Sequence, residues 1–442
     1  MSGAAVPAWP WKRALAWLAF LAPFFFASYG FANWTAAQRA DVPSIVFAWE
    51  SGIPFWAWTI LPYWSIDVLY GLSLFACVDR RELDTHARRL LTAQIGAVLC
   101  FVLVPLRYTF AHPAADGTWG LLFDALAAFD QPFNQLPSLH IALAVILWAL
   151  YARRLTGFSR RIMEAWLLLV CASVLTTYQH HFIDIPTGLL LGALCMWAWP
   201  FANEGNGHSI ATQWQWTRDR VRWRLAAIYA IGAVLLVVIA LRVNGIALWL
   251  LWLGVSQLLV ALAYAAIGAG TFQKNARGRL SVAARWLFAP YLALAWLNSR
   301  AWTWRDKAPV AIGDGVFIGR VPTSHELVAL HVAGVVDLTA EFHWSQRIGA
   351  LVAVPTLDLV APDAHTLGEA ARAIEALRAR GPVLVCCALG YSRSACAAAA
   401  WLLASGRADD VDAALAKVRA ARTAVVLGDA HVASLRLVRA AP

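Results

Sequence analysis

The segment Cys387-Ala388-Leu389-Gly390-Tyr391-Ser392-Arg393-Ser394 decides how this 442-residue chain is read. It follows the apolar run Val383 to Val385 and precedes the alanine-rich run Ala395 to Ala404, so the order is strand, tight loop, helix. A loop so placed turns backbone N–H groups and a helix N-terminus toward one centre, which makes an anion site before any side chain is added. Cys387 stands at the mouth of that cradle, where the positive end favours a thiolate nucleophile. The backbone of Ala388, Leu389, Gly390, Tyr391 and Ser392 forms the wall. Arg393 can fork onto two phosphate oxygens, and Ser394 is close enough to assist the departing thiolate. The plain alternative is a buried structural cysteine beside a surface arginine. Cysteine, five residues, arginine and serine between a strand and a helix outweigh it.

At these residues the chain resembles the dual-specificity and protein tyrosine phosphatase superfamily. The resemblance runs from about Val310 to the C-terminus and includes Gly313-Asp314-Gly315-Val316-Phe317-Ile318-Gly319 and Gly334-Val335-Val336-Asp337-Leu338. It implies a soluble α/β cysteine-phosphatase domain, expected over 305–442, that works through a phosphocysteine. It also implies an aspartic acid upstream that protonates the leaving oxygen. Asp358, in Pro355-Thr356-Leu357-Asp358-Leu359, lies where that acid belongs; Asp363 is a second candidate, nearer a following helix whose dipole would also suit an acidic residue. One departure is Cys386, where the family usually has histidine. That change alters the hydrogen-bond support of the cradle, and a vicinal thiol offers a route to trapping Cys387 as a disulfide.

The rest of the chain is of another kind. It is 60% hydrophobic and 14% charged with 24 Trp, too apolar for an ordinary soluble protein, so a membrane domain precedes the soluble one. The formal charge of +10 does not imply nucleic acid, because the basic residues fall in short connections between apolar runs. They read as topology signals and lipid-headgroup contacts. Spans are expected near 14–32, 53–78, 90–106, 139–151, 162–178, 182–201, 225–241 and 246–269. The first is an uncleaved helix rather than a signal peptide, since it is long, aromatic and without a convincing cleavage site. The expected fold is a membrane all-α bundle, with a six-helix core over 1–203 and two further helices in a 204–304 linker segment, followed by the α/β domain.

Basic residues mark alternate connections: Lys12 and Arg13, then Arg80, Arg81, Arg88 and Arg89, then Arg153, Arg154, Arg160 and Arg161, then Arg218 to Arg224, then Lys274, Arg277 and Arg279. The positive-inside rule places both termini in the cytoplasm, and a bacterial inner membrane is the expected location. A ninth apolar stretch, 282–297, contains Arg285 and Pro290 and reads as an interfacial helix or elbow, which keeps Cys387 on the reducing side.

The opposite connections hold Pro137-Ser138-Leu139-His140 and His180-His181-Phe182-Ile183-Asp184. On a helix His180 and Asp184 share a face, so the carboxylate can hold one imidazole N–H and leave the other nitrogen as nucleophile. Interfacial anchoring is the bland alternative for either motif alone. Here the chain resembles the type 2 phosphatidic acid phosphatase superfamily over about Leu90 to Trp199, especially its inositol phosphorylceramide synthase branch. The resemblance implies that His180 attacks phosphorus, Asp184 orients it, His140 protonates the leaving oxygen and Ser138 contacts phosphate oxygens. His181 would fill a position where the family often has an aromatic. The family's first basic motif is reduced to Arg107, and Val174 stands near where another arginine is expected. Fewer phosphate clamps suggest a phosphodiester or weakly charged substrate.

The expected function is a bifunctional enzyme of phospholipid metabolism acting on phospholipid substrates in the bilayer. The cysteine cradle has no lysine, and Leu389 and Tyr391 make its rim apolar, which favours a lipid monophosphate over a polyphosphorylated headgroup. The alternatives are a membrane-tethered protein tyrosine or dual-specificity phosphatase, a single membrane site with a phosphate-reading domain, and a carrier without chemistry. No cofactor is expected. Neither chemistry needs a metal, and the scattered Cys77, Cys100, Cys171 and Cys195 sit in apolar spans as packing residues. Oligomeric state is not legible.

Overall fold

A computed structural model describes residues 9–202, 204–205, 207–345 and 350–438. The outer limits 1, 203 and 442 of the expected domains lie outside these residues. The chain divides into two compact units, 1–201 and 202–442.

The first unit is all helical: α1 (Trp11–Ala37), α2 (Ile60–Phe75), α3 (Arg80–Leu103), α4 (Gly117–Ala127), α5 (Leu139–Arg154), α6 (Gly157–Thr176) and α7 (Asp184–Ala198). Each expected span in this unit contains a helix. Helix α4 was not foreseen. Buried Leu, Ile and Ala of α1, α3 and α5 form the core, while large apolar residues such as Leu99, Leu103 and Leu168 point outward, as suits a lipid solvent.

The arginines of this unit differ from the loop positions expected of them. Arg80, Arg81, Arg88 and Arg89 belong to the first turns of α3, which Asp79 caps by accepting from the Glu82 N–H at 2.8 Å. Arg89 is fully buried and donates to the Trp199 carbonyl at 2.7 Å, so it closes the end of α7 rather than meeting a headgroup. Arg13 forks onto Asp84 at 2.6 and 2.9 Å, and Arg154 pairs with Glu82. These ties gather the start of α1, the start of α3 and the ends of α5 and α7 at one end of the bundle. The starts of α5 and α7, with their histidines, are at the other.

The second unit begins with the short turn α8 (Ile210–Gln213), then α9 (Arg220–Val243) and α10 (Leu250–Leu262), packed as a hairpin. A 3-10 turn over Gly245–Trp249 precedes α10, and a π turn over Ala263–Ile267 and a 3-10 turn over Gly268–Phe272 follow it. Among the described residues, four stretches are long and apolar enough to cross a membrane: α1, α3, α9 and the run 245–272. The other expected spans are the shorter or more charged helices α2, α5, α6 and α7.

The stretch 282–297 forms two helices, α11 (Val282–Leu287) and α12 (Ala289–Trp302), broken at Phe288, with Pro290 in the first turn of α12 where a missing N–H costs nothing. Its tip packs on α10, with Trp252 Nε1 donating to the Trp286 carbonyl at 3.0 Å. Its two ends return to the α/β part. Leu280 N–H donates to His343 Nδ1 at 3.0 Å, and Ser299 Oγ donates to the Ala388 carbonyl at 2.6 Å.

That part holds β1 (Val310–Gly313), β2 (Val316–Arg320), α13 (Ser324–Ala329), β3 (Gly334–Thr339), β4 (Leu351–Thr356), α14 (Ala364–Arg378), β5 (Val383–Cys387), α15 (Arg393–Ala404), α16 (Val411–Ala421) and α17 (Asp429–Arg436). The sheet order is β1-β2-β5-β3-β4, with only β1 antiparallel to its neighbour. The central strand β5 is buried on both faces, so its sequence Val-Leu-Val-Cys-Cys is continuously apolar. Helices α14, α15, α16 and α17 cover one face. The other face is covered by α13 and by Ala295 and Trp296 of α12.

Residues 204–304 fall in the same compact unit as 305–442. Lys274, expected as a topology signal, is buried and paired with buried Asp337, and also donates to the Thr339 carbonyl at 2.6 Å. Asp337 further accepts from Trp344 Nε1 at 2.5 Å and from Thr339 Oγ1 at 2.7 Å. A buried carboxylate with one cation and several donors is the arrangement that makes such a charge tolerable.

Candidate active sites

Cys387 ends β5 and Arg393 opens α15, so the loop between them lies at the carboxyl edge of the parallel strands, where open α/β sheets bind ligands. Cys387 Sγ accepts from the Gly390 N–H at 3.2 Å and lies 3.3 Å from Ser394 Oγ. Gly390 has φ +79°, and a Cβ there would stand 2.5 Å from the Gly319 carbonyl carbon, so both the turn and the close approach of β2 require glycine. Ser392 Oγ meets His431 Nε2 at 3.0 Å, and Tyr391 OH donates to Asp306 at 3.2 Å. Leu389 packs with the apolar face behind the loop.

Arg393 is buried and fixed on three sides. Its guanidinium meets Glu341 through two bonds, at 2.7 and 3.1 Å, Asp358 at 3.0 Å, and the Thr356 carbonyl at 2.9 Å. Burial alone would raise the pKa of Glu341; the charge of Arg393 and its hydrogen bonds outweigh burial and hold it below the ordinary carboxylate value. Glu341 was not foreseen. It sits 52 residues from Arg393 in a loop after β3, and no local spacing marks it.

Asp358 reaches the cradle as expected, on a half-exposed turn after β4. Asp363 instead caps α14, accepting from the Thr366 N–H at 2.7 Å. Cys386 faces away from the cradle. It packs with Val335, Leu384 and Ala388 on one side of the sheet, whereas Cys387 belongs to the core on the other. Successive strand residues alternate faces, so the vicinal disulfide has no geometry here. Burial, then the nearby Asp337, pushes the Cys386 thiol well up, which makes it inert.

In the first unit, α5 and α7 approach closely because Gly188 and Gly192 lie four apart on α7. A Cβ on Gly188 would meet the Ser138 carbonyl at 2.5 Å, and one on Gly192 the Val145 side chain at 2.8 Å. The approach brings His140 and His180 together, with ring centroids 6.1 Å apart. His180 Nδ1 lies 3.0 Å from Asp184 Oδ2, so one ring nitrogen is committed and Nε2 is left for chemistry. Tyr63 stacks on His140 at 4.0 Å. Ser138 is fully buried and caps α5 through its hydroxyl, and its N–H donates to the Asp184 carbonyl at 3.2 Å.

His181 is held in place, with Nδ1 on Glu50 at 2.8 Å, Nε2 near Thr109, and its ring stacked on Tyr108 at 4.4 Å. Arg107 is exposed, and no hydrogen bond or ion pair links its side chain to the histidines among the described residues. A cavity of about 250 Å³ borders His140, Tyr63, Asp67 and Asp130, with Phe25 and Phe129 on its apolar side. No lysine or arginine lines it.

Two family models match the chain. One is the PAP2 superfamily over residues 82–206, the other the dual specificity phosphatase catalytic domain over 317–440. The chain joins a PAP2 domain to a dual specificity phosphatase domain. Among solved structures, Tk-PTP in its active form is 28% identical, with 29% of this chain and 93% of that chain aligned at a TM-score of 0.27. Human DUSP28 is 25% identical over 29% and 90% of the two chains at a TM-score of 0.27, and PTPMT1 is 19% identical over 29% and 91% at 0.26. None of the curated proteins compared with it matches the chain. Both matched domains are phosphatase domains, so the chain is a phosphoric monoester hydrolase with a membrane-embedded PAP2 part. Lys274, α11 and α12 lie outside both matches, although they complete the body that holds Cys387.

Proposed function

We propose that this protein is a bifunctional integral membrane enzyme of phospholipid metabolism. In the dual specificity phosphatase domain, Cys387 thiolate attacks the phosphorus of a lipid phosphomonoester such as phosphatidylglycerophosphate or phosphatidylinositol phosphate. Arg393 holds two of the equatorial oxygens, Asp358 gives its proton to the departing alcohol oxygen, and water then hydrolyses the phosphocysteine as Ser394 stabilises the returning thiolate. The observation that carries this reading is the convergence of Gly390 N–H and Ser394 Oγ on Cys387 Sγ, with Arg393 and Asp358 held 3.0 Å apart beside them. A lipid is favoured over a phosphoprotein because α12, from the apolar segment, bonds the Ala388 carbonyl of the cradle itself.

In the PAP2 domain, His180 would attack phosphorus, oriented by Asp184, with His140 as proton donor. A site without cationic lining favours headgroup transfer or hydrolysis of a weakly charged phosphate ester over a dianionic monoester. The arginine-rich end of the first unit and the basic start of α9 both mark the cytoplasmic side by the positive-inside rule. The histidines then face outward and the cysteine inward, with both termini cytoplasmic. The test is phosphate release by the full chain in lipid nanodiscs. Cys387→Ser should abolish release from lipid monoesters and His180→Ala should not; the reverse pattern refutes the assignment.

A further inference from the structure

The π turn Ala263–Ile267 follows α10 within the apolar run 245–272, and π turns are frequent at functional sites. Tyr264 lies in this turn. It is buried at 2% exposure, its ring stacks on Tyr229 of α9 at 5.6 Å, and its carbonyl accepts from Arg222 Nε at 2.9 Å. The hydroxyl so oriented donates to the carbonyl of Asp358 at 3.0 Å. Asp358 lies on a turn whose next residue, Leu359, has φ +58° and is 66% exposed. A leucine in the left-handed region does not favour that turn by itself, so an outside contact is needed to hold it. Arg393 binds the carboxylate from within the cradle, and Tyr264 binds the backbone from the membrane segment.

We propose that Tyr264 is a positioning residue for Asp358, so that the end of a transmembrane helix sets the acid loop of the cysteine phosphatase. This deepens the reading above and rests on Asp358 being the proton donor. In the first step the sulfur–phosphorus bond forms, the phosphorus–oxygen bond breaks, and the Asp358 proton moves to the leaving oxygen. Only that proton transfer depends on Tyr264. It matters for an alkoxide leaving group, as in a lipid, and little for a stable aryl oxide. Turnover of a lipid phosphate therefore depends on this contact more than turnover of an aryl phosphate does.

The experiment uses the full chain in detergent micelles and two monoesters, an aryl phosphate with a good leaving group and a glycerol-based lipid phosphate. Tyr264→Phe should lower kcat on the lipid phosphate about tenfold and change the aryl rate by less than about threefold, which also shows that the variant is folded. Asp358→Asn should give a larger loss on the lipid phosphate, with no further loss when Tyr264→Phe is added. Equal loss on both substrates, or full activity of Tyr264→Phe on the lipid while Asp358→Asn is impaired, overturns the positioning role alone. An Asp358→Asn enzyme that keeps its lipid rate removes the proton donor and the positioning role with it.

Discussion

Replacing Lys274 by methionine tests whether the membrane segment and the phosphatase domain are one body. Both Lys274 and Asp337 side chains are fully buried, and the substitution keeps the aliphatic stem while deleting the cation. Asp337 would keep its bonds from Thr339 and Trp344 but lose its only ionic partner among the described residues. Removing one member of a buried pair costs about 3–5 kcal/mol, because the remaining charge stays desolvated. For a body of 150–250 residues, a size that includes the unit 202–442, each kcal/mol lowers the midpoint by about 2–4 °C. The expected drop is therefore roughly 6–20 °C. It can be read as thermal inactivation of aryl phosphate hydrolysis by the full chain. Cys386, at 0% exposure and paired across the sheet with Asp337, should become reactive to a thiol reagent at lower temperature. Adding Asp337→Asn should recover part of the loss, since the asparagine oxygen can still accept from Thr339. A midpoint within about 2 °C of wild type, with Cys386 still protected, would refute the reasoning.

Arg393→Lys should lower cysteine-dependent turnover by more than about a hundredfold and weaken vanadate inhibition, because a lysine cannot fork onto phosphate while bridging Glu341. Gly390→Ala should abolish vanadate binding, since its Cβ meets the Gly319 backbone at 2.5 Å in a left-handed turn, and titration calorimetry measures this directly. Burial, with Arg285, Arg279 and Lys274 nearby, lowers His343 from 6.5 to about 4. A depressed histidine stays neutral in the fold while the unfolded chain takes up a proton, so stability is lost as the pH falls from 6.5 toward 4. His343→Asn should flatten the dependence of the unfolding midpoint over that window. Asp184→Asn should remove PAP2-dependent turnover by more than about a hundredfold, and leave aryl phosphate hydrolysis at Cys387 unchanged in the same preparation.

Part of each site is legible because some of its residues are close neighbours in sequence. The strand, loop and helix around Cys387 can be read from spacing, as can the shared face of His180 and Asp184. Glu341, Lys274 and Tyr264 could not be read, because each meets its partner through sheet register or chain reversal. A lysine in a basic connection looks the same in sequence whether it faces lipid headgroups or is buried against Asp337. The same holds for Arg89, which closes the end of α7. The stretch 282–297 reads as an interfacial helix or elbow, and it folds as two helices broken at Phe288; that Ala295 and Trp296 cover one face of the sheet depends on a tertiary contact no periodicity records. Helix α4 is short, and its apolar residues follow no run long enough to stand out.

The most direct test of the account is to find where phosphate is held covalently during lipid turnover. The full chain in nanodiscs is mixed briefly with phosphate-labelled phosphatidylglycerophosphate and quenched in acid. The account predicts labelled protein carrying phosphocysteine at Cys387, absent in Cys387→Ser and retained in His180→Ala. Label that survives Cys387→Ser and disappears in His180→Ala would contradict it.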